Sequence, residues 1–318
     1  MMMNPVLNKE LIIGSRSIKL PLALCLYNLV LGLVAILVLF IVKEDAAGSG
    51  VNYQILMGIF PILATLQCFI ILVMIPILTA SSIAGERERQ TLDVMLTTPI
   101  SAFSIVLGKV LTAMAQVLMF VISSVPIMSL AFILGGMPWT SLIGFILMVI
   151  FASFYVGAIG VYCSAKTKKT IVSVIKSFII IAVFMVGTLI AMGVHIFSRQ
   201  YDISQQLQKN PNLVIQDEVG MAPLWVAFNP AVTVGNYVFK TFFGAGIERI
   251  GAEAKNSMNG LMYFLTQHWT VITVILNLLV AFGFIALAAR NINPLKKVKP
   301  FKKQRKMNQV PETPAISE

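Results

Sequence analysis

Between Lys109 and Lys166 the chain carries no Asp, Glu, Lys or Arg. A charge-free stretch of that length holds two bilayer crossings at about 20 residues each. No water-facing surface is covered without charges over such a distance. The rest of the chain agrees: 58% of its 318 residues are hydrophobic and 12% are charged, with mean hydropathy +0.87, whereas soluble domains are about 25% charged. The composition therefore excludes a soluble enzyme or binding module and leaves an integral membrane protein.

Uncharged length predicts an all-α fold with six transmembrane helices, at about 20–42, 54–81, 104–134, 139–164, 171–197 and 268–289. Pro61 and Pro76 fall inside the second, and Gly135-Gly136-Met137-Pro138 ends the third. Trp139 and Trp269 lie at span ends, where amphipathic rings favour the headgroup level. The first apolar run follows a polar lead and is too long for a signal peptide, so it reads as a retained span. No hydrophilic stretch is long enough for a second domain. Residues 1–290 form one membrane domain, 198–267 an extracytoplasmic segment and 291–318 a basic, disordered tail. Cys25, Cys68 and Cys163 all lie in hydrophobic runs, which argues against a disulfide framework.

Lysine and arginine set the orientation. The side holding both termini, the 82–103 loop and the 165–170 loop has 18 of them, against 6 opposite. Both termini are thus expected in the cytoplasm, and most of the net charge of +11 is a topology signal. The tail is expected to favour anionic inner-leaflet lipid, at about 1 kcal/mol per basic residue. It lacks the interleaved aromatics of a nucleic-acid binder.

Several chemistries are missing. No phosphate-binding G-x-x-x-x-G-K-[ST] run occurs, so the chain is not expected to hydrolyse ATP itself. His195 and His268 have no metal-ligand spacing, and neither a catalytic site nor a cofactor is expected. Span centres hold no Asp, Glu, Lys, Arg or His, whereas ion-coupled transporters usually place such groups at membrane depth. Their polar residues are uncharged, among them Gln67 and Gln116, which either line a path or bond between helices. Any uphill transport then draws its energy from outside the membrane domain.

Two inward segments can receive that energy. Residues 4–19 begin Asn4-Pro5, an N-cap followed by a first-turn proline, and Leu7 and Leu11 share a face. This predicts a short amphipathic helix in the interface. Residues 82–101 place the cluster Glu86-Arg87-Glu88-Arg89 directly after the second span. Leu92, Met95 and Leu96 then form an apolar face, Glu86–Gln90 and Arg89–Asp93 can pair at i,i+4, and Pro99 ends the helix. An exposed apolar ridge beside a charge cluster suits a docking helix better than a solvated loop.

The run Gly85-Glu86-Arg87-Glu88-Arg89-Gln90-Thr91-Leu92, continuing to Leu96-Thr97-Thr98-Pro99-Ile100-Ser101 with Gly108-Lys109 beyond, resembles the ABC-2 type permeases of ATP-binding-cassette exporters. The resemblance implies that 82–101 is the coupling helix docking on a separate ABC ATPase subunit. Glu86, Arg87, Glu88, Arg89, Gln90, Thr91 and Leu92 would be its core, with Leu96 and Pro99 completing it. It also implies a second permease copy or related permease, a path lined by the second and fifth spans, and short outer helices at Asn229-Pro230 and 232–243. The membrane would be a plasma membrane of bacterial type. Two other readings stand beside an ATP-driven exporter: a non-transport membrane partner of such an ATPase, and a secondary transporter with an ion site at broken helices. The transported substrate is not legible.

Overall fold

The computed structural model describes residues 18–49, 53–92, 95, 97, 101–136, 138–209, 225–244, 246–249 and 260–292. The expected interfacial helix at 4–19 and the basic tail lie almost wholly outside these residues. Helix α1 spans Lys19–Ser49, α2 Tyr53–Glu88, α3 Ala102–Leu134 and α4 Trp139–Lys166. Helix α5 (Thr170–Ala182) runs through a π-turn at Val183–Gly187 into α6 (Thr188–Lys209). A 3₁₀ turn at Trp225–Phe228 leads into α7 (Pro230–Phe243), then α8 (Gly260–Gln267) and α9 (Trp269–Ile292). No strand occurs among the described residues.

Six segments are long and apolar enough to cross a membrane: Leu20–Lys43, Gly58–Glu88, Ala102–Leu134, Trp139–Lys166, Thr170–Gln206 and Trp269–Ile292. The second helix runs on past the hydrophobic stretch to Glu88, because each charged residue at its end has a partner on another helix, as described below.

Helix α4 is the axis. Its residues from Ser153 to Val161 are buried on every side, as befits a helix enclosed by others, with α2, α3, α5 and α9 around it. Gly160 allows a close approach of α2, since a Cβ there would run into the Thr79 side chain. At one end of the bundle Phe60, Phe132, Phe145 and Phe242 interlock. Phe60 stacks on Phe242 at 4.4 Å and meets Phe132 and Phe145 edge-on at 5.0 and 5.3 Å, the offset and edge geometries that ring quadrupoles favour. We call this the aromatic end, and the opposite one, carrying Glu86–Glu88, the charged end.

The outer surface is apolar. Leu22, Leu26, Leu33 and Phe40 on α1, and Ile171, Ile175 and Ile179 on α5, stand exposed, which in water would aggregate and in a bilayer meets hydrocarbon. Trp139 is exposed at a helix end, while Trp269, the first residue of α9, is 2% exposed and packs inside the bundle.

Candidate functional site

At the charged end, the last turns of α2 hold three neighbouring helices. Ser164 of α4 accepts hydrogen bonds from the Ile83 and Ala84 N–H groups (3.0 and 2.8 Å) and donates to the Ala80 carbonyl at 2.7 Å. One buried hydroxyl thereby ties the two helices backbone to side chain.

Beyond it, three consecutive charges point to three different places. Glu86 Oε1 takes the Lys109 ammonium of α3 at 2.6 Å, with the side chains 25% and 3% exposed. Glu86 Oε2 is buried and has no hydrogen-bond partner among the described residues. Arg87 donates to the Thr167 carbonyl at 2.5 Å and the Ala165 carbonyl at 3.1 Å. These groups close the C-terminal end of α4, where unpaired carbonyls and the helix dipole attract a cation. Glu88 accepts from the Thr170 N–H at 3.0 Å and the Thr170 hydroxyl at 2.7 Å. That is the N-terminus of α5, where a carboxylate is the matching charge. Adjacent residues of opposite sign thus grip opposite helix poles on either side of the 167–169 turn.

After Glu88 the chain turns sharply. Gln90 has φ 58°, in the left-handed region that costs a non-glycine residue about 1–2 kcal/mol. The Thr91 N–H bonds the Glu86 carbonyl at 2.9 Å and the Gln90 N–H the Arg87 carbonyl at 3.2 Å, the double closure of a Schellman C-cap. Glu86 therefore does not pair with Gln90, because the helix has ended before Gln90 reaches its i+4 position. Leu92 also differs from expectation: it is 6% exposed and packs into the main core instead of forming an exposed ridge. Arg89, Gln90 and Thr91 are the exposed tip. Asp93, Leu96 and Pro99 lie outside the described residues.

The two glutamines fall elsewhere. Gln67 is 1% exposed, facing a small gap lined by Val121, Ser124, Leu142 and Phe145. Gln116 is half-buried on α3.

A second polar assembly sits toward the aromatic end. Buried Asn229 caps α7 by accepting from the Ala231 N–H at 2.9 Å, and donates to the Met185 carbonyl at 2.9 Å and the Thr188 hydroxyl at 2.7 Å. The Thr188 hydroxyl in turn donates to the Phe184 carbonyl at 2.8 Å. A π-turn breaks the regular i→i−4 ladder, so these contacts fall where carbonyls need other donors. Asn277 of α9 donates to the Ala227 carbonyl at 2.8 Å. Farther along, Glu248 accepts from Thr270 (2.7 Å) and Asn236 (3.1 Å) and pairs with Lys240 at 3.3 Å. Burial pushes the Glu248 carboxyl up, but the bonds from Asn236 and Thr270, with Lys240 nearby, outweigh it and hold the group below its ordinary range. Neither assembly was read from the sequence. Asn229-Pro230 and the mid-span Asn277 mark the first locally, and Glu248 gives no sign of the second.

Fold and charged-end geometry together define a multi-pass membrane protein whose buried polar contacts concentrate where loops leave the bundle. The chain belongs to the ABC-2 family of transporter proteins, whose family profile matches residues 42–290. It is thus the membrane component of an ABC transporter. No curated protein matches it significantly.

Proposed function

We propose that this chain is the permease subunit of an ATP-driven exporter in a bacterial plasma membrane, with the 82–101 segment docking on a separate ABC ATPase subunit. The observation that carries the reading is the pairing of Arg87 and Glu88 with the two poles flanking the 167–169 turn. Together with Glu86–Lys109, these bonds fasten the ends of α2, α3, α4 and α5 to one short stretch of chain. Force applied to the exposed tip Arg89–Thr91 then moves four helix ends together. Glu86, Arg87 and Glu88 act as transmitters, while Arg89, Gln90 and Thr91, with Leu96 and Pro99 beyond, meet the ATPase.

Two permease copies, or two related ones, would enclose the path between them, with the exposed apolar face of α5 turned toward the partner or toward lipid. Gln116 has the exposure to face such a path. Gln67 would reach it only when α2, α3 and α4 separate during the cycle. ATP would bind in the partner and this chain would hold no cofactor.

The test is isolation of the tagged protein from its native membranes in mild detergent. An ABC ATPase should co-purify with vanadate-sensitive ATP hydrolysis. Arg89→Glu should weaken its retention without lowering the permease's own thermal stability. A preparation with no ATPase, from membranes where one is expressed, would sink the reading.

A further inference from the structure

Near the charged end, three consecutive residues of α4 face three different helices. Ser164 bonds α2 through the Ala80 carbonyl, Cys163 meets the Ser177 hydroxyl of α5, and the Tyr162 ring lies 5.4 Å from Phe284 of α9. Successive helical residues are turned by about 100°, so α5 stands between α2 and α9 around α4. A furrow therefore runs over α4 between α5 and α9, on the side of α5 turned away from α2. Phe184 and Phe284, with ring centroids 6.1 Å apart, close it toward the bundle centre. It opens at the charged end.

Two cations share this furrow. Lys166, in the last turn of α4, lies over the Tyr162 ring at 5.9 Å. Lys176 precedes Ser177 on α5, and one residue back round that antiparallel helix is its α9-facing flank. Both ammonium groups are within electrostatic reach of the Cys163 thiol, and both residues are exposed. Among the described residues neither has a carboxylate or hydrogen-bond partner, whereas Lys109 and Lys240 are each paired with a glutamate. Lys176 is also six residues inside the fifth span, about 9 Å along its axis. A cation at that depth is costly unless its stem carries the charge back to the headgroup level or an anion meets it. Two like charges that share a furrow and have no carboxylate there call for an anion from outside the chain.

The surroundings limit which anion fits. Val172, Ile179 and Val183 on the Lys176 flank of α5, and Leu287 on α9, stand exposed. An occupant must be anionic at the charged end and apolar below it, and a soluble phosphate meets only the first requirement.

We propose that this furrow binds an anionic phospholipid of the leaflet at the charged end, with its phosphate between Lys166 and Lys176 and an acyl chain along Tyr162 and Phe284. Clusters of basic residues between membrane helices recognise such headgroups through the same charge complementarity. The site needs no ATPase partner.

The test loads the full-length protein in mild detergent with dioleoyl phosphatidylglycerol or dioleoyl phosphatidylcholine and counts bound lipid by native mass spectrometry. Phosphatidylglycerol should be preferred about tenfold or more. Lys166→Gln and Lys176→Gln should each lower its affinity about fivefold, and the double variant about 30-fold. Lys176→Arg should preserve it, and phosphatidylcholine binding should not change. Arg290→Gln removes one exposed charge at the same end, about 120° round α9 from Phe284, and should cost no more than about twofold. Equal losses in Arg290→Gln and Lys176→Gln would reduce the effect to net charge and overturn the site. So would phosphatidylglycerol retention untouched in the folded double variant, or in both single variants if the double does not fold. Displacement of the lipid by glycerol 3-phosphate would mark a soluble-phosphate site instead. Capture of a second permease copy rather than lipid, by a photo-crosslinker at Val172 in native membranes, would make the furrow a subunit contact and equally overturn the proposal. None of these results bears on the ATPase contact, which keeps its own test.

Discussion

Replacing Lys109 by Met keeps the length and apolar stem of the side chain and removes its charge. Lys109 is 4% exposed as a residue and its ammonium lies 2.6 Å from Glu86. Deleting one partner of a buried ion pair costs about 3–5 kcal/mol, mostly because the other charge is left uncompensated. Glu86 keeps 25% of its side-chain exposure, so water recovers part of that, and a loss of about 3 kcal/mol is expected at the lower end. At about 2–4 °C per kcal/mol this is a fall of roughly 6–12 °C in Tm, measured on detergent-solubilised protein by fluorescence-detected size exclusion after heating. The double variant Glu86→Gln/Lys109→Met removes both charges and should be milder than Lys109→Met alone. Its favourable coupling should be about 1–2 kcal/mol, within the range for residues in contact. Additive losses, or a Lys109→Met variant as stable as the wild type, would refute the pair as a structural tie.

Other outcomes follow from the same contacts. Gln90→Gly should raise stability by up to about 1 kcal/mol by relieving the left-handed backbone, whereas Gln90→Val should lower it by about 1 kcal/mol or more; both are read in the heating assay. Asn229→Ala and Asn229→Asp should each speed hydrogen exchange at 183–188 and 225–233, since Asp keeps the cap but loses the donor to the Met185 carbonyl. Equal exchange in both variants and wild type would contradict the docking of α7 on the π-turn. Because Glu248 has a folded pKa below its unfolded one, its stabilisation is full above the usual carboxylate value of about 4.3 and is lost as pH falls through the folded value. The Tm gap between wild type and Glu248→Gln should therefore hold from neutral pH to about 5 and shrink progressively as pH falls below the usual carboxylate value of about 4.3.

The six crossings were legible because hydrocarbon thickness sets a minimum apolar length, and charges mark where it ends. Sequence spacing also located the 86–92 cluster. It did not yield the cluster's partners, because Glu86 meets Lys109 one helix away, and Arg87 and Glu88 meet residues some eighty positions on. Local i,i+4 logic offered Gln90 to Glu86 instead, and the Schellman turn removes that option. Leu92 shows the same limit: helical spacing identified its apolar face but not that the chain reverses and turns this residue inward. The π-turn and Asn229 depend on each other across forty-odd residues, a relation that no window along the chain contains. Asn4-Pro5, Leu96 and Pro99 lie outside the described residues.

In the proposed complex the tip at Arg89–Thr91 meets an ATPase. The direct measurement is a photo-crosslinking amino acid placed at exposed Thr91, irradiated in native membranes, with the adduct identified by mass spectrometry. An ABC ATPase should be captured at Thr91 and not at exposed Tyr201 on α6. Capture of no ATPase at Thr91, or capture at Tyr201 instead, would contradict the account.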